Sequence, residues 1–142
     1  MTREHSLGYH LGRALRSHKK RSHRLMSDLG LHPGQTPIMF ALWRQDGQVQ
    51  KDLANSLHLT PPTLTVTLQR LEKAGLIVRK KDSADQRISR VYLTEPGWRL
   101  KEQVMQCIRE TDAVSFRGFT PEEEELLLAF LDRVTDNLSE EE

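Results

Sequence analysis

The stretch from Gln50 to Thr94 constrains the fold of this chain more than any other part of it. Thr60-Pro61 is a helix start: a threonine side chain can accept from an orphan N–H, and proline at the first helical position needs no donor. The helix so opened runs to about Ala74. Leu64, Leu68 and Leu71 fall on one face, with Pro62, Thr63, Thr65, Val66, Gln69, Arg70 and Lys73 on or beside the other. Gly75 supplies the stop. Upstream, Lys51 to Leu57 reads as a two-turn helix, joined to the next by the tight turn His58-Leu59-Thr60. Downstream, Leu76 to Lys81 and Arg87 to Leu93 read as strands around the polar turn Asp82 to Gln86, a hairpin with a basic tip. Gln48-Val49-Gln50 is too short for an independent strand but can pair at a sheet edge.

The flanks are helical. From about His5 to Asp28, Leu7, Leu11, Ala14 and Leu15 have helical spacing, followed by the basic run Arg16 to Arg24. Gly30 and Pro33-Gly34 break that helix, and a second follows with Pro37 in its first turn and Ile38, Phe40, Ala41, Leu42 and Trp43 directed inward. Asp46-Gly47 ends it. Beyond the hairpin, Thr94 caps a helix from about Pro96 to Arg117, carrying Trp98, Leu100, Val104, Met105, Ile108 and Val114, with Gly118 at its end. Thr120-Pro121-Glu122-Glu123 is a capping box opening the last helix. Its stripe, Leu127, Phe130, Leu131, Val134 and Leu138, is joined by Leu126 and Leu128. That is too much apolar surface for one exposed face, so it requires a partner helix.

At 142 residues the chain is read as one domain. Its net charge of +1 conceals a division. From Pro121 onward there are nine acidic residues and one basic residue, leaving 20 Lys/Arg against 11 Asp/Glu in the preceding 120 positions. A basic body closed by an acidic helix makes a polyanion, above all nucleic acid, the leading partner. With 37% hydrophobic residues, a mean hydropathy of −0.60 and no long apolar run, a membrane span is excluded. The polar start Met1 to Ser6 lacks a signal-peptide core, so a cytoplasmic location is expected.

Two short helices joined by a tight turn, with a basic hairpin after the second, describe a winged helix-turn-helix. A recognition helix enters the major groove, where each base pair shows a distinct donor and acceptor pattern, while hairpin cations reach phosphates or the minor groove. The residues here also resemble the MarR regulators, a family named for multiple antibiotic resistance. Leu59-Thr60-Pro61-Pro62-Thr63-Leu64-Thr65 and then Leu71-Glu72-Lys73-Ala74-Gly75-Leu76-Ile77-Val78-Arg79 are similar to the family's recognition helix and wing entry. Asp82-Ser83-Ala84-Asp85-Gln86-Arg87, then Val91-Tyr92-Leu93-Thr94-Glu95-Pro96-Gly97, resemble its wing and exit, and Gly30-Leu31-His32-Pro33-Gly34-Gln35 its approach to the second helix. One departure is His58, at a turn position where glycine is common.

The resemblance implies a mainly α homodimer: a winged helix-turn-helix with a two-stranded β-wing over residues 34–94, flanked by dimerisation helices over 5–30 and 96–140. Two wings would then meet successive turns of a pseudo-palindromic promoter site on double-stranded DNA. Repression by blocking polymerase is expected, and a small-molecule effector of unspecified identity, fitting the cleft between the dimer helices and the winged domain, could release it. Candidate DNA contacts are Thr60, Pro62, Thr63, Thr65, Val66, Gln69 and Arg70 on the helix and Lys80, Lys81, Arg87 and Arg90 on the wing. Arg87 is the minor-groove residue, while Lys80, Lys81 and Arg90 suit phosphates. Asp85 orders the wing or orients an arginine, because a carboxylate beside phosphates repels them. Arg79 suits backbone positioning or a structural ion pair. An ordinary solvated helix face or hairpin would share these patterns.

Other readings have less support in the residues. Arg16 to Arg24 flanks DNA, lines a ligand cleft, or is a solvated face. Trp43 and several N-terminal residues suit either a pocket or core packing. His5, His10, His18, His23 and His32 invite a metal-sensor idea, but His18 and His23 are five apart and do not stack on a helix as ligand pairs do. No metal and no cofactor is expected. Cys107 cannot form an internal disulfide and is read as an inert thiol. With no phosphate-cradling loop, nucleophile elbow or zinc-protease motif, no enzyme is expected. The alternative from another class is a winged-helix protein-interaction module whose basic surface meets an acidic partner.

Overall fold

The computed structural model describes residues 6–141, so the expectations resting on His5, as helix start and as histidine cluster, lie outside the described residues, as does Glu142. The chain runs α1 (Leu7–Asp28), α2 (Thr36–Arg44), β1 (Gln48–Val49), α3 (Gln50–Ser56), α4 (Pro61–Lys73), β2 (Ile77–Lys81), β3 (Ser89–Leu93), α5 (Glu95–Ser115) and α6 (Pro121–Ser139). Two compact units emerge, Met1–Ile108 and Arg109–Glu142.

In the first unit, Ser6 caps α1 by accepting from the Tyr9 N–H at 3.1 Å. The helix stops where Gly30 takes a φ of 84°. The core gathers one face of each short element: Ile38, Met39, Leu42 and Trp43 from α2, Leu53 and Ala54 from α3, Leu64, Leu68 and Leu71 from α4, Ile77, Val91 and Leu93 from the sheet, and Leu100 and Val104 from α5. Phe40 and Ala41, expected inward, are only partly buried, and Met39, not expected there, is fully enclosed. The three α4 leucines are wholly buried, each contributing about 1.5–3 kcal/mol of transfer free energy. That burial turns the opposite face of α4 outward.

The sheet has three strands in the order β1-β3-β2, all antiparallel. The two-stranded wing thus has a third, short neighbour, because Gln48 pairs with Val91 and Val49 with Arg90. Asp46 reinforces the junction by accepting from the Leu93 N–H at 2.8 Å. Alternation along β3 buries Val91 and Leu93 and leaves Arg90 and Tyr92 on the outer side.

In the second unit, Gly118 has a φ of 84° and Thr120 opens α6 with both halves of a capping box. Phe116 and Phe119 meet edge to face, 5.8 Å between centroids. No residue of α6 is buried. Leu126, Leu128, Phe130, Leu131, Val134 and Leu138 are all exposed, and a cleft of about 750 Å³ is lined by Phe116, Leu127, Leu128 and Leu131 together with Asp112 and Glu124.

Candidate nucleic-acid interface

The helix-turn-helix is held by its turn. His58 sits at φ 54°, the one non-glycine residue with positive φ among those described, so a histidine occupies the left-handed position where glycine fits without strain. Thr60 is extended and caps α4 by accepting from the Thr63 N–H at 3.4 Å. Its hydroxyl also donates to Thr63 Oγ1 at 2.9 Å.

Pro62, Thr63, Val66, Gln69 and Arg70 recur at helical spacing on the side away from the buried leucines, and all are exposed. Val66 is 46% exposed, a methyl-bearing side chain presented to solvent in the middle of a polar face. Thr60 is also exposed at the helix start. Thr65 departs from the group. It is half-buried and its hydroxyl accepts from Gln50 Nε2 at 3.3 Å, which links the start of α3 to α4.

The wing residues divide in the same way. Arg87 projects from the turn with its side chain 90% exposed and is gripped by Asp85, Nε to Oδ1 and Nη2 to Oδ2 both at 3.1 Å. Asp85 Oδ1 also accepts the Arg87 N–H at 3.0 Å. These bonds, Arg87's side chain first, hold the Asp85 carboxyl below its ordinary pKa. The expectation that Asp85 orients an arginine therefore has its geometry. Lys80 and Lys81 are exposed: Lys80 lies over the Tyr92 ring, 5.7 Å from its centroid, and Lys81 donates to the Gln86 carbonyl at 3.2 Å.

Arg90 is placed differently from its neighbours. Its Nε meets Asp82 Oδ1 at 2.6 Å and its Nη1 donates to the Gly47 carbonyl at 2.9 Å, in partly buried surroundings. Arg79, expected to position the backbone or form a structural ion pair, pairs with Glu72 at 2.7 Å and joins α4 to β2. Sequence reasoning missed Asp82, Gly47, Gln50 and Glu72 as members of this framework. An Asp at the end of a strand before Ser-Ala-Asp is an Asx-turn signal that could have pointed to Asp82. Nothing local marks Gly47 as an acceptor for a side chain 43 residues away.

Trp43 is in the core, 6% exposed. Cys107 is a half-buried thiol beside that core. Among the described residues, no cluster of His, Cys, Asp and Glu has the arrangement of a metal site, and no helix is long and apolar enough to cross a membrane.

A model of the MarR family matches residues 31–89. The HTH-type transcriptional regulator TtmR of Methylorubrum extorquens (strain PA1) is 33% identical over 89% of this chain, which spans only 60% of that protein's length. The organic hydroperoxide resistance transcriptional regulator of Bacillus subtilis (strain 168) is 32% identical over 74% of this chain and 71% of its own. Among solved structures, a mutant of S. aureus MepR bound to an oligodeoxyribonucleotide superposes with a TM-score of 0.69 at 27% identity, covering 94% of this chain and 98% of that one. These relatives are named as regulators of transcription or, in the last case, seen on DNA.

Proposed function

Since this chain belongs to the MarR family of transcriptional regulators, we propose that it reads a pseudo-palindromic promoter site as a homodimer, in the cytoplasm, and represses transcription by excluding polymerase. One observation carries the reading: α4 buries Leu64, Leu68 and Leu71 and turns Thr63, Val66, Gln69 and Arg70 outward beside a wing tipped by Arg87. Such a face fits the major groove. Gln69 and Arg70 can bond base edges or phosphates, Val66 can touch a thymine methyl, and Thr60 and Thr63 suit phosphates. Pro62 packs at the backbone where the helix enters, and Thr65 supports the face through Gln50. Arg87 reaches the minor groove while Lys80 and Lys81 meet phosphates.

The apolar rows of α1 (Leu7, Leu11, Leu15) and α6 are the surfaces a second copy would cover. Each is exposed and each is longer than a solvated helix needs. A dimer places its two recognition helices at a fixed spacing, and an effector bound preferentially to another spacing would release DNA.

The test is selection of bound duplexes from a random library at near-physiological salt, with mass by light scattering on the same preparation. The expected result is an inverted repeat with half-sites about one helical turn apart, bound by a dimer. Arg70→Ala and Arg87→Ala should each weaken binding by about 1–3 kcal/mol. A dimer that enriches no sequence, with or without added candidate effectors, overturns the DNA reading and favours a protein-binding module.

A further inference from the structure

We propose that Asp82 and Arg90 are positioning residues for DNA recognition, clamping the wing to the α2–β1 corner at Gly47 and so fixing the reach and angle of Arg87. The inference rests on the DNA-binding reading above and assigns roles within it.

The contacts form one continuous chain. The Gly47 carbonyl accepts from Arg90 Nη1 at 2.9 Å, and Arg90 Nε meets Asp82 Oδ1 at 2.6 Å. The other oxygen of the same carboxylate, Oδ2, accepts from the Ala84 and Asp85 N–H groups, each at 3.0 Å. Asp85 then holds Arg87 by its backbone and its guanidinium. A single carboxylate therefore shapes the turn that carries the wing tip and ties that turn to the helix-turn-helix body. The anchor at the far end is itself fixed. Gly47 lies at φ 72° with the Tyr92 ring against it, so that a Cβ there would come within 2.8 Å of the ring. Lys80 covers the same ring from β2.

Two arguments make the clamp necessary. Lys80 lies directly opposite Arg90 in the ladder, so two cations share one face of a short ribbon, an arrangement that repels unless a counter-charge is supplied. Strands of five residues, moreover, do not hold a hairpin rigid by themselves. Asp82, only 16% exposed, supplies the charge and the bracing together. Arg90 is thereby unsuited to the phosphate contact expected of it: a phosphate would have to replace Asp82 while lying against its carboxylate.

The signs of the expected effects separate positioning from contact. Removing a carboxylate from a DNA-facing wing should, on charge alone, tighten binding. Positioning requires the opposite, so Asp82→Asn is expected to weaken binding to the selected duplex about tenfold. Arg90→Lys keeps the charge but not the planar fork that spans Asp82 and Gly47, and should weaken binding similarly. Neither variant should change the slope of affinity against salt, whereas loss of a phosphate contact lowers it by about one. In an Asp82→Asn background, Arg87→Ala should add less than about a twofold loss, because the two residues act as one unit. A nitroxide on Ser83→Cys in a Cys107→Ser background gives a readout without DNA, with greater mobility expected in Asp82→Asn at an unchanged far-ultraviolet spectrum.

Failure is distinguishable at each level. A wild-type protein that selects no DNA would overturn the DNA reading and this inference with it. Wild-type binding combined with equal or tighter binding by Asp82→Asn, tolerance of Arg90→Lys, or full additivity with Arg87→Ala would overturn the inference alone.

Discussion

The indole Nε1–H of Trp43 donates to the Gly97 carbonyl at 3.0 Å, tying the last turn of α2 to the first turn of α5. Gly97 has no room for a side chain, since a Cβ would collide with the Leu76 carbonyl oxygen. Gly97→Ala is therefore expected to destabilise the protein by about 2–3 kcal/mol, and Trp43→Phe, which removes the indole donor while the carbonyl keeps its helical partner, by about 0.5–1.5 kcal/mol. Both should appear in urea unfolding as a lower midpoint with an unchanged slope.

His58 pays a conformational penalty in the left-handed region. Glycine adopts that region freely but loses more entropy on folding, so His58→Gly should raise stability by about 0.5–1 kcal/mol. A β-branched residue has neither advantage, and His58→Val should lower stability by about 1–2 kcal/mol. Paired urea titrations of the three proteins check the order.

The wing should be insensitive to pH across the neutral range. Arg90's side chain, then the N–H groups of Asp85 and Ala84, hold the Asp82 carboxyl below its ordinary value near 3.8. A carboxyl whose folded pKa is depressed contributes stability that is complete above the unfolded value and disappears as pH falls through the folded one. The difference in stability between wild type and Asp82→Asn is thus expected to be constant between about pH 5 and pH 8 and to shrink below about pH 3.8. Arg90, raised further by the same pair, stays charged throughout. Unfolding midpoints measured across that range test the sign.

If the apolar rows of α1 and α6 meet a second copy, a charge on either should dissociate it. Leu11→Glu and Leu131→Glu replace exposed leucines and should each shift the light-scattering mass from dimer toward monomer. Each loses about 1.5–3 kcal/mol of burial and adds a desolvated carboxylate. Weakened binding to the full inverted repeat should follow, because a monomer engages one half-site.

Much of the architecture is local and was legible in the residues. Thr60-Pro61, Gly75 and the Thr120 capping box set helix ends through bonds spanning three or four positions, and each is found where the sequence places it. The outward face of α4 followed from the spacing of three leucines. The pairing of Asp85 with Arg87 spans two residues, and it too was accessible. Arg90 was not. In a hairpin strand an arginine facing outward looks the same whether it is free or paired, and its partners lie 8 and 43 residues away. The Thr65 contact is hidden from the sequence for the same reason: Gln50, which donates to its hydroxyl, comes from another helix.

The sequence by itself determined where elements begin and end, which face of each is apolar, and that the basic body carries a helix-turn-helix and wing, because capping, periodicity and turn chemistry act over a few residues. Only the tertiary structure decided which cations stand exposed. Arg87, although paired with Asp85, projects from the wing with Lys80 and Lys81, whereas Arg79 and Arg90 are paired in its partly buried framework. That division depends on which carboxylates and carbonyls the folded chain brings within hydrogen-bond reach, a property of distances across the sheet and its corners that no local pattern encodes.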